Sequence, residues 1–282
     1  MKDEKQVNSK TEKLWVDFVD NRCKKDVLGK KLINGDCLEV MKDIPDGSID
    51  AIITDPPYGT TACKWDSVID FELMWEQLHR IIKPNGAIVL FGSEPFSSAL
   101  RMSNIKNYKY DWVWNKKTPG GFAHAKNMPL KYIENIMVFS KAKVGHIQQI
   151  KNRVPYNPQD LKKVNKIQKN CKRKKEESAF GNRPSHKNEY TQEFTNYPKN
   201  ILEFSRDKGF HPTQKPVKLI EYLIKTYTQE KESVLDFTSG SGTTAIACLN
   251  TGRNYICIEK DETYFKQSEE RIKNHKIQGE LI

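Results

Sequence analysis

The chain has 282 residues, of which 29% are charged, and its net charge at neutral pH is +11. This length suffices for one large α/β domain with an insertion or a small second lobe. No run approaches the ~20 apolar residues of a transmembrane helix. The charged start, Met1–Lys5, lacks the apolar core of a signal peptide. We therefore expect a cytoplasmic protein that makes no contact with a membrane.

The first predicted elements lead to a rigid turn. Residues 1–30 form a charged N-terminal extension, and a brief strand over 31–36 follows it. The apolar run 48–53 predicts a fully buried strand. It enters Asp55-Pro56-Pro57-Tyr58, where two prolines prevent both a continued strand and a helix start. We therefore predict a rigid turn at the carboxyl end of a buried strand, where α/β sheets bind ligands.

Asp-Pro-Pro-Tyr resembles the catalytic motif of the amino-group methyltransferases, which methylate exocyclic nitrogens of adenine or cytosine in DNA. Such an amine is a poor nucleophile because its lone pair is delocalised into the ring. The carboxylate of Asp55 and the carbonyl of Pro56 would each accept one amine hydrogen and localise that lone pair. Tyr58 offers a face on which a flipped base can stack. The alternative is a structural Pro-Pro turn with a helix-capping Asp and a packed Tyr.

The central part of the chain predicts alternating helices and strands. Apolar spacing predicts helices over 71–82 and 95–102, and the breakers at 83–86 end the first of them. A buried strand is predicted over 87–92, and a pair of strands over 110–115 and 134–139. The Gly-rich link 118–124 joins the last two strands and is long enough to be mobile, and we expect its His124 to contact DNA or nothing.

Most of the positive charge lies in residues 141–204, which we call the basic segment. Positions 141–200 hold 15 Lys/Arg against 5 Asp/Glu, so the remaining residues carry a net charge of only +1. Clustered cations release counterions from nucleic acid, which predicts phosphate binding, most sharply at Lys172, Arg173, Lys174 and Lys175. The alternative is a solvated charged loop. The lack of apolar periodicity predicts a segment that is largely mobile without DNA.

The last third of the chain predicts a nucleotide-binding unit. After a helix over 217–227, the buried strand 233–236 runs into a turn containing Gly240 and Gly242, and a helix and the strand 255–258 follow. Such glycines let the backbone approach a ligand, and the acid after the next strand, Glu259, would reach ribose hydroxyls. NAD is the competing ligand.

Asp236 separates the two possible ligands. It precedes the glycines, where it would repel a pyrophosphate but attract the ammonium group of S-adenosyl-L-methionine. We therefore predict S-adenosylmethionine as the cofactor. The six cysteines are scattered, without zinc-ligand spacing, and imply no metal. Cys63 is treated as a loop thiol.

Together the motifs resemble those of the β-group DNA amino-methyltransferases, over residues 31–140 and 205–272. Four signatures stand in the order of that family: Gly-Asp at 35–36, Asp-Pro-Pro-Tyr at 55–58, His-Pro-Thr-Gln-Lys-Pro at 211–216 and Asp-x-x-x-Gly-x-Gly at 236–242. The resemblance implies catalysis by Asp55, Pro56, Pro57 and Tyr58. It implies a cofactor site formed by Asp36, Thr213, Lys215, Asp236, Phe237, Ser239, Gly240, Gly242, Thr243 and Glu259. In particular, Asp36 would lie near the adenine of the cofactor, Glu259 on its ribose, and Thr213 and Lys215 near its carboxylate.

The resemblance also implies double-stranded DNA as substrate and a bacterial or phage protein held at the nucleoid through DNA. A homodimer and a cognate restriction nuclease are possible partners. Family members with Asp at the first catalytic position usually methylate N6 of adenine, which makes N4 of cytosine the second alternative. Methylation of RNA or of a protein amide, and a catalytically silent binding module, are further alternatives.

We therefore predict an α/β fold with a Rossmann-like methyltransferase sheet of about seven mostly parallel strands. The predicted catalytic half spans 31–140, the basic segment 141–204 is an inserted target-recognition segment, and the cofactor-binding half spans 205–282. The strand at 51–54 should lie beside the strand at 233–236. Four acids that close predicted strands (Asp36, Asp55, Asp236 and Glu259) should meet at one edge of the sheet, although helix capping would explain one or two of them.

Overall fold

The computed structural model of the protein describes residues 29–60, 66–145, 152–169, 189–207 and 214–275. The strands in this part of the chain are β1 (Lys31–Asn34), β2 (Ile49–Thr54), β3 (Ile82–Gly92), β4 (Tyr108–Gly120), β5 (Lys131–Phe139), β6 (Lys162–Lys169), β7 (Glu189–Thr195), β8 (Ile201–Glu203), β9 (Ser233–Asp236) and β10 (Asn254–Glu259). The helices are α1 (Cys37–Met41), α2 (Phe71–Ile81), α3 (Phe96–Ser103), α4 (Val217–Tyr227), α5 (Thr243–Thr251) and α6 (Glu262–Lys273). None of these helices has the length and apolar character needed to cross a bilayer.

Eight strands form one sheet in the order β1-β10-β9-β2-β3-β5-β4-β8, and β6 pairs separately with β7. Strand β5 is antiparallel to both β3 and β4, and the other neighbouring pairs of the large sheet are parallel. The predicted mostly parallel α/β sheet is thus confirmed. All seven predicted strands are present in it, and the eighth, β8, comes from the basic segment, where no strand was predicted.

Strands β2 and β9 are neighbours, as predicted. Ala51 lies opposite Val234 and Ile52 opposite Leu235 in a parallel pair. The carboxyl ends of parallel strands lie at the same edge of a sheet. The turn that follows β2 therefore lies beside the turn that follows β9.

Helices cover both faces of the sheet because residues along a strand point alternately to its two sides. Ala51 and Ile53 face a core that includes residues of α4 and α5, whereas Ile52 faces a core that includes residues of α1, α2 and α3. Both cores contain fully buried aliphatic side chains. Parallel sheets need this double cover, which agrees with the continuous apolar runs in the sequence.

Three predicted strand boundaries are wrong, one of them the start of β5, which begins at Lys131 and not at residue 134. Strand β3 begins at Ile82, directly after α2, and not at residue 87. Strand β4 continues to Gly120, because Gly120 still pairs with Lys131 on β5 and the Tyr132 hydroxyl donates to the Lys117 carbonyl at 3.0 Å. The Gly-rich link 118–124 therefore contains the end of a long hairpin, and we call residues 116–133 the hairpin arm.

The basic segment contains more regular structure than its sequence predicted. Strands β6 and β7 form an antiparallel pair, and β8 joins the large sheet beside β4. Val154 is 4% exposed and belongs to one of the two cores. No strand was predicted for these stretches, and the prediction that the segment is largely mobile without DNA stays a prediction. Residues 1–28, Cys63 and Lys172–Lys175 lie outside the described residues.

Candidate active site

A cavity of about 990 Å³ opens at the carboxyl edge of the large sheet. Its walls include the four acids that close predicted strands: Asp36, Asp55, Asp236 and Glu259. The expectation that these acids gather at one edge is confirmed. The volume is near the upper end of the range for small-molecule sites, about 300–1,000 Å³. It therefore has room for a cofactor and part of a second ligand.

Most residues predicted for the site line this cavity. They are Asp36, Asp55, Pro56, Pro57, Tyr58, Lys215, Asp236, Phe237, Ser239, Gly240, Thr243 and Glu259. Gly242 lies beside them as the N-cap of α5. Thr213, Lys172, Arg173, Lys174 and Lys175 are outside the described residues, so their predicted roles stay predictions.

The carboxylate of Asp55 is held by two donors. The Tyr58 hydroxyl donates to its Oδ1 atom, and the Lys215 ammonium donates to its Oδ2 atom. The hydroxyl of Thr238 lies 3.1 Å from the backbone carbonyl of Asp55. Each carboxylate oxygen accepts two hydrogen bonds, so one acceptor position remains on each oxygen beyond these two donors. Asp55 is thus oriented without being saturated.

The ring of Tyr58 already has an aromatic neighbour. It stacks on Phe96 with a centroid distance of 5.0 Å and an interplanar angle of 27°. One face of Tyr58 is therefore covered, and only the opposite face can receive a base. Burial raises the pKa of Tyr58 well above its ordinary value, and the charge of Asp55 adds to this shift. The phenol therefore remains a donor to Asp55 at neutral pH.

Two charged residues at this site were missed from the sequence. Glu134, on β5, pairs with Lys116 through Oε1, and its Oε2 lies 3.3 Å from the ammonium of Lys215. We call Asp55, Lys116, Glu134 and Lys215 the charge cluster. Its formal charges cancel. The sequence did contain one signal for Glu134, because it is a lone acid at the start of the apolar run 134–139. A purely structural strand would not need this acid.

Burial and ion pairing shift the pKa values of the charge cluster in opposite directions. Burial raises the pKa of Asp55 above its ordinary value, although the ammonium of Lys215 opposes this shift. Burial alone would lower the pKa of Lys215, but the carboxylates of Asp55 and Glu134 outweigh it and raise that pKa. Lys215 therefore stays cationic and keeps Asp55 paired.

Lys215 thus contacts the turn after β2. Its side chain is only 9% exposed, and its ammonium group lies 5.2 Å from the ring centroid of Phe91 and 6.0 Å from that of Tyr58. The contact with the carboxylate of the cofactor that the resemblance implies stays a prediction. In this structure Lys215 is a partner of Asp55 and Glu134.

Asp236 anchors the turn after β9. Its carboxylate accepts hydrogen bonds from the hydroxyls of Thr54 and Thr244, the latter at 2.5 Å. Burial raises the pKa of Asp236 to about 6, against the effect of these hydrogen bonds. A nearby ammonium group would restore the ionised form. Asp236 therefore fits a ligand that carries a positive charge.

The turn after β9 provides the rest of a nucleoside site. Gly240 and Gly242 have φ angles of +50° and +71°, in the left-handed region that favours glycine. The amide of Gly240 donates to Glu259 at 2.7 Å and fixes this acid at the cavity wall. Ser239 Oγ is buried without a hydrogen-bond partner among the described residues. An unpaired hydroxyl beside oriented acids fits S-adenosylmethionine, which offers an ammonium group and a ribose diol.

Asp36 has a structural role as well. It is the N-cap of α1 and accepts a hydrogen bond from the Leu38 amide at 3.0 Å, and its other oxygen pairs with Lys260 at 3.0 Å. The helix-capping alternative is therefore correct for this acid, although it also lines the cavity. Asp55, by contrast, is bound by Tyr58 and Lys215.

Comparison with known proteins agrees with this geometry. The family model for DNA methylases of the N6/N4 class matches residues 49–270. Type II methyltransferase M.HinfI of Haemophilus influenzae is 29% identical over 279 residues, which cover 87% of this chain and 68% of M.HinfI. DNA adenine methyltransferase YhdJ of Escherichia coli (strain K12) is 28% identical over 262 residues, which cover 86% of this chain and 82% of YhdJ.

Two solved structures have the same fold. The crystal structure of the M1.HpyAVI–SAM complex matches with a TM-score of 0.55 and 26% identity, over 86% of this chain and 98% of that chain. The PvuII DNA methyltransferase, described as cytosine-N4-specific, matches with a TM-score of 0.62 and 16% identity, over 88% of each chain. The chain therefore belongs to the N6/N4 DNA methylase family and is a DNA methyltransferase that uses S-adenosylmethionine.

Proposed function

We propose that this methyltransferase modifies the N6 amine of an adenine that is flipped out of double-stranded DNA. The observation that carries the proposal is the oriented carboxylate of Asp55, which lies beside the turn after β9. In the family, Asp at this position accompanies adenine more often than cytosine, and the relative YhdJ is described as an adenine methyltransferase. The cytosine-N4 enzyme PvuII shares the fold at 16% identity, which carries no argument about the base.

In this proposal the chain activates the amine by accepting hydrogen bonds from its two N–H groups. In this proposal the free acceptor positions of Asp55 and the carbonyl of Pro56 each take one amine hydrogen. The nitrogen then becomes tetrahedral, and its lone pair is no longer shared with the ring. Preorganised acceptors of this kind do not need to reorganise when charge develops. S-adenosylmethionine supplies the electrophilic methyl group that this lone pair attacks.

Lys215 and Tyr58 keep Asp55 in the required orientation. Their hydrogen bonds occupy one position on each carboxylate oxygen. The remaining positions then point in fixed directions, and the positive charge of Lys215 favours the ionised carboxylate against the effect of burial on the pKa of Asp55. After transfer the nitrogen is cationic and loses a proton to water or to Asp55. Asp55 thus acts mainly as an orienting acceptor.

We also propose that the turns after β2 and β9 bring amine and methyl donor together. The parallel pairing of Ala51 with Val234 places both turns on one edge. Reacting atoms must come within ~3–3.5 Å for attack. Asp236 would bind the ammonium group of the cofactor and Glu259 its ribose, while the basic segment recognises the DNA sequence around the target.

The base is identified by sequencing genomic DNA from cells that express this chain and lack other DNA methyltransferases. The readout must distinguish N6-methyladenine from N4-methylcytosine. We expect N6-methyladenine at one short sequence, and its absence from cells expressing Asp55→Ala. Modification of cytosine alone would contradict the adenine proposal. Cofactor binding without any DNA modification would instead support the silent binding module.

A further inference from the structure

The hairpin arm carries a group of exposed apolar side chains. Phe122 is 68% exposed, Met128 53%, Ile133 50% and Tyr132 42%. Single apolar residues at a surface are common, but four within twelve positions on one projecting hairpin indicate a contact surface. The arm therefore presents apolar surface that nothing else in the described part of the chain covers.

The arm stands at the wall of the catalytic cavity. Gly120, Gly121 and Lys131 line the same cavity as Asp55. Phe122 directly follows Gly121 in the chain. The most exposed aromatic side chain of the arm is thus joined to the wall of the cavity that would receive the target base.

The turn that carries Phe122 is well defined. Gly121 has a φ angle of +87°, which few other residues adopt, and it begins a short 3₁₀ turn over Phe122–His124. The His124 amide donates to the Gly121 carbonyl at 2.9 Å, and the Met128 amide donates to the His124 carbonyl at 3.0 Å. These bonds hold Phe122 at the tip of the arm although its ring is exposed.

The charge of the arm suits a polyanion. Residues 116–133 contain four lysines and no Asp or Glu. Lys117, Lys126 and Lys131 are exposed, and Arg206 adds a guanidinium group beside Gly120 at the cavity wall. An apolar surface without the cations would suit a protein partner equally well. Apolar tips flanked by cations on a DNA methyltransferase match duplex DNA better, because each cation can meet a phosphate.

We infer that Phe122 inserts into the base stack of the DNA and fills the space that the flipped target base leaves. Proteins that distort DNA use Phe, Leu, Ile or Met as such wedges. An unpaired base costs less to extrude than a paired one. The wedge therefore matters most on a fully paired duplex. This inference rests on the proposed flipping of the target base.

The test compares Phe122→Ala with the wild-type enzyme on two DNA duplexes. Both contain the sequence methylated in cells, and one has a mismatch opposite the target base. We expect Phe122→Ala to lower kcat/KM about tenfold or more on the paired duplex and to stay within about twofold of wild type on the mismatched duplex. Phe122→Trp should restore most of the activity. Met102→Ala, which removes a 69% exposed side chain on α3, is the matched control and should leave both rates unchanged.

A second measurement uses 2-aminopurine at the target position, whose fluorescence changes when it leaves the base stack of the duplex. Wild type should change it, and Phe122→Ala should not. Equal activity of Phe122→Ala and wild type on both duplexes would overturn the wedge, as would an equal loss on both. Thermal unfolding and cofactor affinity confirm that each variant is folded. If wild-type enzyme methylates no DNA, or methylates without changing the fluorescence, the proposed flipping fails instead of the role of Phe122.

Discussion

Lys215 donates a hydrogen bond to the carboxylate of Asp55 across 160 positions of the chain. This contact joins the catalytic turn after β2 to the residues that precede α4. The ammonium group of Lys215 also lies 3.3 Å from Oε2 of Glu134 on β5. Three separate parts of the chain thus meet at one ammonium group, and the orientation of Asp55 depends on all of them.

Asp55→Ala should nearly abolish methyl transfer and leave cofactor binding intact. Losing one preorganised hydrogen-bond partner in such a site costs about 10²–10³ in rate. Tritiated methyl transfer to duplex DNA measures the rate, and calorimetry measures cofactor affinity. Asp46→Ala, at an acid whose side chain is 78% exposed, is the control and should keep its activity. Transfer by Asp55→Ala at the wild-type rate would refute the proposed mechanism.

Two substitutions at Tyr58 separate its hydroxyl from its ring. Tyr58→Phe keeps the stack on Phe96 but removes the donor to Asp55, so kcat should fall about tenfold with little change in KM for DNA. Tyr58→Ala also removes the stacking surface, so KM for DNA should rise as well. Steady-state kinetics with both variants decide this. Identical kinetic constants for the two variants would show that the ring takes no part in base capture.

Glu134→Gln should destabilise the protein, because it leaves Lys116 and Lys215 with Asp55 as the one acid of the charge cluster. Breaking a buried ion pair from one side costs about 3 kcal/mol, and thermal unfolding reports it. The double variant Glu134→Gln/Lys116→Met should recover part of the loss. Glu39→Gln, in a surface pair with Lys42, is the matched control and should change little. Equal stability of Glu134→Gln and wild type would show that the cluster contributes no net stability.

Cofactor affinity should depend on pH through Asp236. Its pKa in the folded protein is about 6, above the ordinary value of 3.8. A bound ammonium group favours the ionised form, so affinity should rise up to tenfold per pH unit below pH 6 and level off above it. Calorimetry between pH 5 and 8 measures this. Asp236→Asn should bind weakly at every pH and lose the dependence, whereas an unchanged profile would assign it to another group.

The raised pKa of Asp236 also makes the stability of the cofactor-free protein depend on pH. This stability falls as the pH rises, whereas cofactor affinity increases. Because the folded pKa is raised, the protonated acid stabilises the folded state below the unfolded pKa. That contribution is lost as the pH rises through about 6. The difference between a pKa of about 6 in the folded protein and the ordinary 3.8 corresponds to about 3 kcal/mol of stability. Asp236→Asn should therefore remove a stability loss between pH 4 and 6, which denaturant unfolding can detect.

Replacing Lys172, Arg173, Lys174 and Lys175 with Ala should weaken DNA binding and leave cofactor affinity unchanged. Each phosphate contact contributes about −0.9 to the slope of log affinity against log salt. The slope should therefore become shallower by up to about 3.6. Fluorescence anisotropy of labelled duplex DNA over a range of salt concentrations measures it. Equal affinity at every salt concentration would mean that this cluster serves solubility alone.

The strands of the core could be predicted because their signal is local. Continuous apolar runs such as 48–53 and 233–236 identify buried strands. The two strands had to be neighbours because the amine at Asp55 must meet the methyl donor at Gly240. Strand β8 could not be predicted in this way. It has three residues, two of them exposed, so no apolar pattern marks it. Its position is decided by pairing with β4.

The charge cluster was missed for a different reason. Lys116 on β4 pairs with Glu134 on β5 across the hairpin. The other two members of the charge cluster, Lys215 and Asp55, lie far from both in the chain. A sequence shows that a charge interrupts an apolar run, but not which opposite charge neutralises it. The family motif likewise assigned Lys215 to the cofactor. Its contact with Asp55 appears only when the segment before α4 is placed against the sheet.

The threonines between the two turns have a consequence for how the enzyme handles its two substrates. Thr54 donates to Asp236, and the Thr238 hydroxyl lies 2.8 Å from Thr54 Oγ1 and 3.1 Å from the carbonyl of Asp55. A proton that reorients at one end changes the hydrogen bonding available at the other. Any coupling free energy that this chain of hydrogen bonds transmits between the two sites is shared by the cofactor and the target base. By thermodynamic reciprocity, the factor by which the cofactor changes the affinity for DNA equals the factor by which DNA changes the affinity for the cofactor.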